Sequence, residues 1–274
     1  MRWLLKKFNI YPNAYYNYLN NRKLGYQQDK EKVKGFIYKT YHNYGGICGY
    51  RVMHAYLIRA GYHISRLTVH RYMNKEMQLR SITRKRKPNY EYGKPHKVFK
   101  NKLNQQFYAE KINQKWCTDF TYLFLTDGSK RYNCTIIDLY DRSVVASITD
   151  KNITAELAKR TLQKAIDSQK GINPKKLLLH SDQGSQYTSK EFTDFCEELG
   201  VEQSMSKAGY PYDNAPMERY FNTLKTNLIY HHYYHTEKEL YTAVEEFAYI
   251  EYNHLRPHSY NKNKTPFEAR YGVT

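Results

Sequence analysis

Apolar residues recur along this chain in three different rhythms. Over residues 1–79 the spacing is helical. Val33, Phe36, Ile37 and Tyr41 fall on one face, and after a break at Gly45-Gly46 the pattern resumes at Val52, Tyr56 and Leu57. Gly61-Tyr62-His63-Ile64 predicts a turn, and Ser65 predicts a cap for a helix running to Met73. Two helices, a glycine turn and a short capped helix carrying Arg66, Thr68, His70 and Arg71 outline a helix-turn-helix; an ordinary small helical bundle would leave the same pattern.

Between residues 80 and 112 the periodicity is lost. Over 80–102, Arg80, Arg84, Lys85, Arg86, Lys87, Lys94, Lys97, Lys100 and Lys102 face one acid, Glu91, and Pro88 and Pro95 interrupt the run. The stretch reads as a basic linker over 80–112, either a solvated tether or an arm that lies along phosphates. From 113 to 274 a third rhythm takes over. Residues 116–125 alternate up to a hairpin turn at Thr126-Asp127-Gly128-Ser129, and 132–139 and 143–149 are β-rich around Asp141-Arg142. Behind Thr154 as cap, Ala155, Ala158, Leu162, Ala165 and Ile166 trace one helical face. Lys176 to His180 is a short apolar strand of the kind buried in a parallel sheet. A helix over 189–199 ending at Gly200, a strand at 201–205 and helices over about 215–230 and 236–254 complete the pattern. The prediction is an α/β fold, a mixed sheet covered by helices.

Charge changes the picture more than composition does. The 274 residues hold 44 Lys and Arg against 26 acids, a net charge of +18, which points to a polyanionic partner: nucleic acid first, an anionic membrane surface second. A hydrophobic content of 41% excludes global disorder. Cys48, Cys117, Cys134 and Cys196 are scattered, without a C-x-x-C, and read as buried thiols of a reducing compartment. His231, His232 and His235 cluster without a cysteine pair and read as a solvated helix end, not a zinc site. No apolar run approaches the roughly 18 residues of a membrane span. The opening Met1 to Lys7 is too short in apolar core for a signal peptide. A cytoplasmic or nucleoid-associated protein with no membrane partner is expected.

The candidate chemistry lies in three acids. Asp119 falls inside the first strand, and Asp182 lies three residues past Leu177–Leu179, at the carboxyl end where open α/β sheets place ligands. Gly184 would let the chain turn tightly there. Glu218 lies early on a helix that Asn214 would cap and Pro216 would start, one step off the stripe Met217, Phe221, Leu224 and Leu228. The interval from Asp182 to Glu218 is by itself roughly an even bet against chance; its ends carry the meaning. Lys225, two turns on, shares Glu218's face, where it would grip a phosphate or pair with the acid. Three converging carboxylates repel unless cations lie between them, and two hard divalent cations drive in-line displacement at phosphorus.

Those acids sit in Trp116-Cys117-Thr118-Asp119-Phe120-Thr121, His180-Ser181-Asp182-Gln183-Gly184-Ser185-Gln186-Tyr187 and Asp213-Asn214-Ala215-Pro216-Met217-Glu218. The three segments resemble the signatures of the DDE transposase and retroviral-integrase superfamily. Tyr252-Asn253-His254-Leu255-Arg256-Pro257-His258, followed by Thr265-Pro266, narrows the resemblance to the second-frame (OrfB) transposase of bacterial insertion sequences of the IS-three family. It covers nearly the whole chain.

The resemblance implies an RNase H-like core behind a small all-α helix-turn-helix domain. It implies that Asp119, Asp182 and Glu218 are catalytic ligands of two Mg²⁺ or Mn²⁺ ions, and it matches Lys225 to a basic residue seven positions after the Glu. The helices ahead of the core, with Tyr15-Tyr16-Asn17-Tyr18-Leu19, fit the same family. The implied activity is 3′-end cleavage at the element terminus and strand transfer by the freed hydroxyl, with no nucleophilic Tyr, so Arg256…His258…Tyr260 is not read as a tyrosine recombinase. The expected partners are terminal repeats and target DNA, further copies of the chain on DNA, and the upstream-frame (OrfA) product. Arg66, Thr68, His70, Arg71, Arg84, Lys85, Arg86, Lys87 and Lys225 are the expected DNA contacts. Full-length relatives resemble a fusion with an upstream helix-turn-helix and leucine zipper; this chain lacks a sustained heptad repeat and reads as the second frame alone. Two other readings use the same residues: a metal-dependent nuclease without strand transfer, and a DNA-binding regulator with an inactive core.

Overall fold

The computed structural model describes residues 1–82, 97–207 and 210–272, and its contacts divide the chain between Thr83 and Arg84 into two units. The N-terminal unit holds α1 (Arg2–Lys7), α2 (Pro12–Leu19), α3 (Leu24–Asn43), α4 (Tyr50–Arg59) and α5 (Arg66–His70). Its core joins Val33, Ile37 and Tyr41 of α3 to Met53 and Leu57 of α4 and Val69 of α5. Phe36, Val52 and Tyr56 pack at its margin. Ser65 caps α5 as expected, its hydroxyl accepting from the Thr68 N–H at 3.1 Å. Past His70 the helix does not stop at Met73 but widens into π-helical turns over Arg71–Glu76, because Tyr72 and Met73 are still being buried.

The C-terminal unit is built on β1 (Lys115–Phe124), β2 (Lys130–Asp138), β3 (Val144–Asp150), β4 (Leu178–Ser181) and β5 (Glu202–Met205). They form one five-stranded sheet ordered β3-β2-β1-β4-β5. The first three strands are antiparallel and β4 and β5 run parallel to β1. Gly128, with φ 83°, lets the β1–β2 hairpin close in the conformation that costs other residues a clash. Helix α6 (Ala155–Ser168) follows β3, α7 (Ser185–Thr188) and α8 (Lys190–Leu199) connect β4 to β5, and α9 (Ala215–Asn227), α10 (Glu237–Glu246) and α11 (Pro266–Tyr271) come after the last strand.

Alternation along β1 decides which layer each residue serves. Trp116 packs with Leu162 and Ala165 of α6 and Phe192 of α8. Cys117 and Leu123 face the other way, onto Met217, Phe221 and Leu224 of α9 and Leu240 and Val244 of α10. The result is the mixed sheet flanked by helices expected of an RNase H-like core. After Glu246 the last long helix continues as π-helix over Phe247–Leu255. Asn253 there accepts from the Val144 N–H and donates to the Val144 carbonyl, both at 2.9 Å, which covers one residue of the exposed sheet edge.

The stretch assigned to a linker over 80–112 divides between the units. Residues 80–82 belong to the first: Tyr41 Oη donates to the Arg80 carbonyl at 2.6 Å, and Ile82 N–H donates to the Gly46 carbonyl at 3.0 Å. Residues from 97 onward belong to the second. Lys97 N–H donates to the Thr188 carbonyl at 3.0 Å, and Leu103 and Ala109 are buried in the core. Those two apolar anchors are too widely spaced to produce a period among the cations around them. Arg84, Lys85, Arg86 and Lys87 lie outside the described residues.

The turn after the π-helix carries a pH dependence. His258 is buried, its Nδ1 accepting from the Tyr260 N–H at 3.3 Å. Desolvation pushes its pKa down to about 3, with the charges of Arg256, Arg142 and Arg219 adding to the effect. The unfolded chain takes up a proton near the ordinary histidine value while the folded chain refuses it, so stability is full above that value and falls as pH drops towards 3. At pH 5 the loss is about 2 kcal/mol. Urea unfolding at pH 7 and pH 5 checks this; the loss should shrink in His258→Gln, and an equal loss in both proteins would refute the assignment.

Candidate active site

Strand register brings the first two acids together. β1 and β4 pair Lys115 with Leu178, Trp116 with Leu179 and Cys117 with His180. Continued by two positions, the register sets Asp119 beside Asp182. Asp119 shares its strand face with Cys117, which lies in the core that α9 covers. Glu218 stands in the first turns of that helix. Three elements distant in sequence thus present their acids to one sheet face.

The start of α9 is fixed by side chains rather than by a cap. Asn214 occupies the N-cap position, but its side chain makes no capping bond. Instead Nδ2 donates to the carbonyl of Thr118 at 3.1 Å, which ties the helix start to the residue before Asp119. Asp213 braces it from the other side. Its Oδ1 accepts from Gln105 Nε2 at 2.8 Å, and its Oδ2 accepts from Asn101 Nδ2 at 2.8 Å and the Lys207 N–H at 3.0 Å. Burial would raise this carboxyl, but the three donors hold it below the usual carboxylate range. Asp213 escaped the sequence reading as a functional residue, although it opens the segment that ends at Glu218. Met217, Phe221 and Leu224 are buried as expected, together with Tyr220; Leu228 lies just past the helix end, at the core's margin.

Around Asp182 the local geometry serves the carboxylate. Oδ1 accepts from the Gly184 N–H at 2.9 Å. Gly184 has an ordinary φ of −55°, so it is not there for a left-handed turn. A Cβ at this position would stand 2.9 Å from Asp182 Oδ1, so any larger residue would make that carboxylate shift. His180 is completely buried between Ser204 Oγ at 2.9 Å and Ser206 Oγ at 3.1 Å. Desolvation pushes it to about 4 against the opposing charge of Asp213, so it is a neutral brace between β4 and β5.

Electrostatics register the convergence. The Asp119 carboxyl is raised well above its ordinary range, first by desolvation, then by the negative charges of Asp182 and Glu218. The Phe120 N–H, 2.7 Å from Oδ1, and the Lys225 ammonium oppose the rise. Desolvation raises Asp182 and Glu218 too, although Glu218 is exposed. Lys225 is half-buried and lowered by desolvation, with Asp119 opposing. Among the described residues it forms no ion pair. Nor do any three His, Cys, Asp or Glu side chains among the described residues stand close enough to clamp an ion as they are.

The other candidates separate into exposed and engaged groups. Arg66 is exposed on α5, but the Thr68 hydroxyl is bonded to Ser65 Oγ at 2.9 Å and His70 lies edge-on to Tyr50 at 5.0 Å. Arg71 is exposed, 3.8 Å from Glu76 and over the Tyr72 ring at 5.3 Å. His231 Nε2 donates to the Thr226 carbonyl at 2.8 Å, and His235 Nδ1 meets Thr126 Oγ1 at 3.1 Å. All four cysteines are buried free thiols. The guanidinium of Arg142 lies 4.0 Å over the ring of Tyr260, which is exposed, whereas His258 is buried.

Comparison with known proteins matches two models of the integrase core domain, to residues 109–211 and 199–266, and an HTH-like domain to residues 27–87. The chain is 32% identical to an uncharacterized 31 kDa protein of insertion element IS600 from Shigella sonnei, over 96% of this chain and 97% of that one. It is 34% identical to the putative transposase InsK for insertion sequence element IS150 of Escherichia coli, over 97% and 92% of the two chains. Among solved structures it is similar to a chain of the simian T-cell lymphotropic virus intasome, with a TM-score of 0.49 and 18% identity, over 82% of this chain and 71% of that one.

Proposed function

The chain belongs to the insertion-sequence DNA transposases with an integrase core, and from that premise we propose that Asp119, Asp182 and Glu218 form the centre that nicks element ends and joins the 3′-hydroxyl to DNA. The observation that carries this is the β1–β4 register, which when continued sets Asp119 beside Asp182, with Glu218 in the first turn of the helix that covers that face. The donor set consists of carboxylate oxygens, with neither thiolate nor imidazole, and suits a hard cation such as Mg²⁺ or Mn²⁺. Asp119 and Asp182 would hold both ions from the sheet, and Glu218 would complete the set from α9. When bound, such a pair supplies Lewis-acid stabilisation of the charge that develops at phosphorus.

The protein's own groups do the rest. Asn214 and Asp213 fix α9 over β1, so Glu218 approaches from a rigid element. Lys225 places a fixed positive charge near Asp119, where a backbone phosphate would meet it. Residues 1–79, through Arg66 and Arg71, would bind the terminal repeats, and the cations of the 80–112 stretch would lie along phosphates. Target DNA, further copies of the chain on DNA and the upstream-frame product complete the assembly, which acts in the cytoplasm at the nucleoid. No helix among the described residues is long and apolar enough to cross a membrane.

The test is incubation with Mg²⁺ and the element's own end sequences, alone and with the upstream-frame product. Nicked 3′ ends and joined strands are expected in at least one condition. Nicking without joining would leave a nuclease, and neither product under both conditions would refute the reading.

A further inference from the structure

Next to Asp182 an open groove of about 770 Å³ runs between the ends of β4 and β5 and the segment that precedes β1. Gln183, the residue after Asp182, lines it, as do Lys100, Asn101, Lys102, Asn104 and Lys207, with no carboxylate among the lining residues. Its walls are fixed by long-range bonds. The Phe99 N–H donates to Met205 Sδ at 3.5 Å, Lys102 N–H donates to Ser204 Oγ at 2.9 Å, and Gln183 Nε2 donates to the Ser206 carbonyl at 2.9 Å. Asn101 and the Lys207 N–H both bind Asp213, which braces the Glu218 helix. The groove is therefore held by the same contacts that hold the acids.

Its charge is selective. Lys102 is paired with Glu202. Lys100 and Lys207 are exposed, one on each wall, and among the described residues neither pairs with an acid. Two cations and several neutral amides in an open channel suit a linear polyanion better than a compact anion, which an enclosed site would grip. We infer that this groove holds the phosphodiester backbone of the DNA strand running through the carboxylate site, with Lys100 and Lys207 each contacting a phosphate. The inference rests on the transposase reading of that site and adds the path by which the strand enters or leaves.

The experiment uses the full chain in EDTA, so that binding is read without cleavage. The affinity for a duplex carrying the element end and its flank is measured across a salt series, for wild type and for Lys100→Ala/Lys207→Ala. Each lost phosphate contact should make the slope of log K against log salt shallower by about 0.9, so the double variant should lose about 1.8. An unchanged slope overturns the groove, whereas failure of the wild type to nick in Mg²⁺ both alone and with the upstream-frame product overturns the parent reading, and the two results are independent. A second readout places a photocrosslinker on Lys100→Cys, the four native cysteines being buried. Adducts at nucleotides flanking the nicked phosphate are expected; adducts spread evenly along the duplex, or none, overturn it.

Discussion

Asp119→Asn and Glu218→Gln should each reduce Mg²⁺-dependent nicking and joining by at least about 10³-fold while DNA affinity in EDTA stays within a factor of two or so of wild type. A divalent ion contributes several kcal/mol of charge stabilisation at phosphorus, and each 1.36 kcal/mol is tenfold in rate. Binding is spared because both substitutions remove negative charge from a protein whose net charge is already +18. Stability gives a second readout. The folded Asp119 carboxyl is raised by desolvation and by Asp182 and Glu218, so without metal its ionised form disfavours folding as pH climbs above the ordinary carboxylate value. Asn at this position removes that cost, and the metal-free variant should melt no lower than wild type. Mg²⁺ should raise the wild-type melting temperature and leave Asp119→Asn unmoved, since only a native state that binds the ion gains from it. Equal Mg²⁺ stabilisation of both proteins, or full nicking by either variant, would remove these acids from the centre.

How far that centre was legible differs residue by residue. Asp119 and Asp182 could be placed because each follows a short apolar or alternating run that only a strand explains, and strand register then makes them neighbours. Glu218 could be placed because Pro216 and the stripe Met217, Phe221 and Leu224 orient its helix. The braces could not. Asn214 looks like a cap from its neighbours, yet its partner is a carbonyl 96 positions away. Asp213 is held by Asn101 and Gln105, more than 100 positions away, through amides that leave no periodic trace. The same limit explains the linker, where the run of cations outweighs Leu103 and Ala109, and Gly184, whose close neighbour is a carboxylate oxygen and whose dihedral angle is ordinary. Local pattern places elements; the long-range polar contacts that tighten them into a site appear only when the chain is folded.

Arg270→Met should cost about 3–5 kcal/mol of stability, a large share of the 5–15 kcal/mol typical of a whole domain. Nothing in the periodicity of α11 singles Arg270 out, yet its guanidinium is buried against two fully buried carboxylates. Nη1 donates to Asp138 at 3.1 Å, Asp141 at 2.6 Å and Ser143 Oγ at 3.0 Å; Nη2 donates to Asn113 at 2.9 Å and Gln169 at 2.5 Å. This fork joins the chain's last helix to the end of β2, the β2–β3 turn and the segment entering β1. Desolvation and the charge of Asp141 already raise Asp138, with Arg270 opposing; removing the arginine leaves both acids buried with no ion-pair partner among the described residues. Arg270→Lys should recover little, because a single ammonium cannot span five acceptors set in a plane-like fork. Adding Asp138→Asn and Asp141→Asn to Arg270→Met should recover part of the loss, since the penalty lies in the unpaired charges more than in the lost bonds. Denaturant unfolding of the four proteins decides it: a cost below about 1 kcal/mol for Arg270→Met, or no recovery in the triple variant, would mean that water or local rearrangement satisfies the acids and that the fork does not hold the C-terminal helix to the sheet.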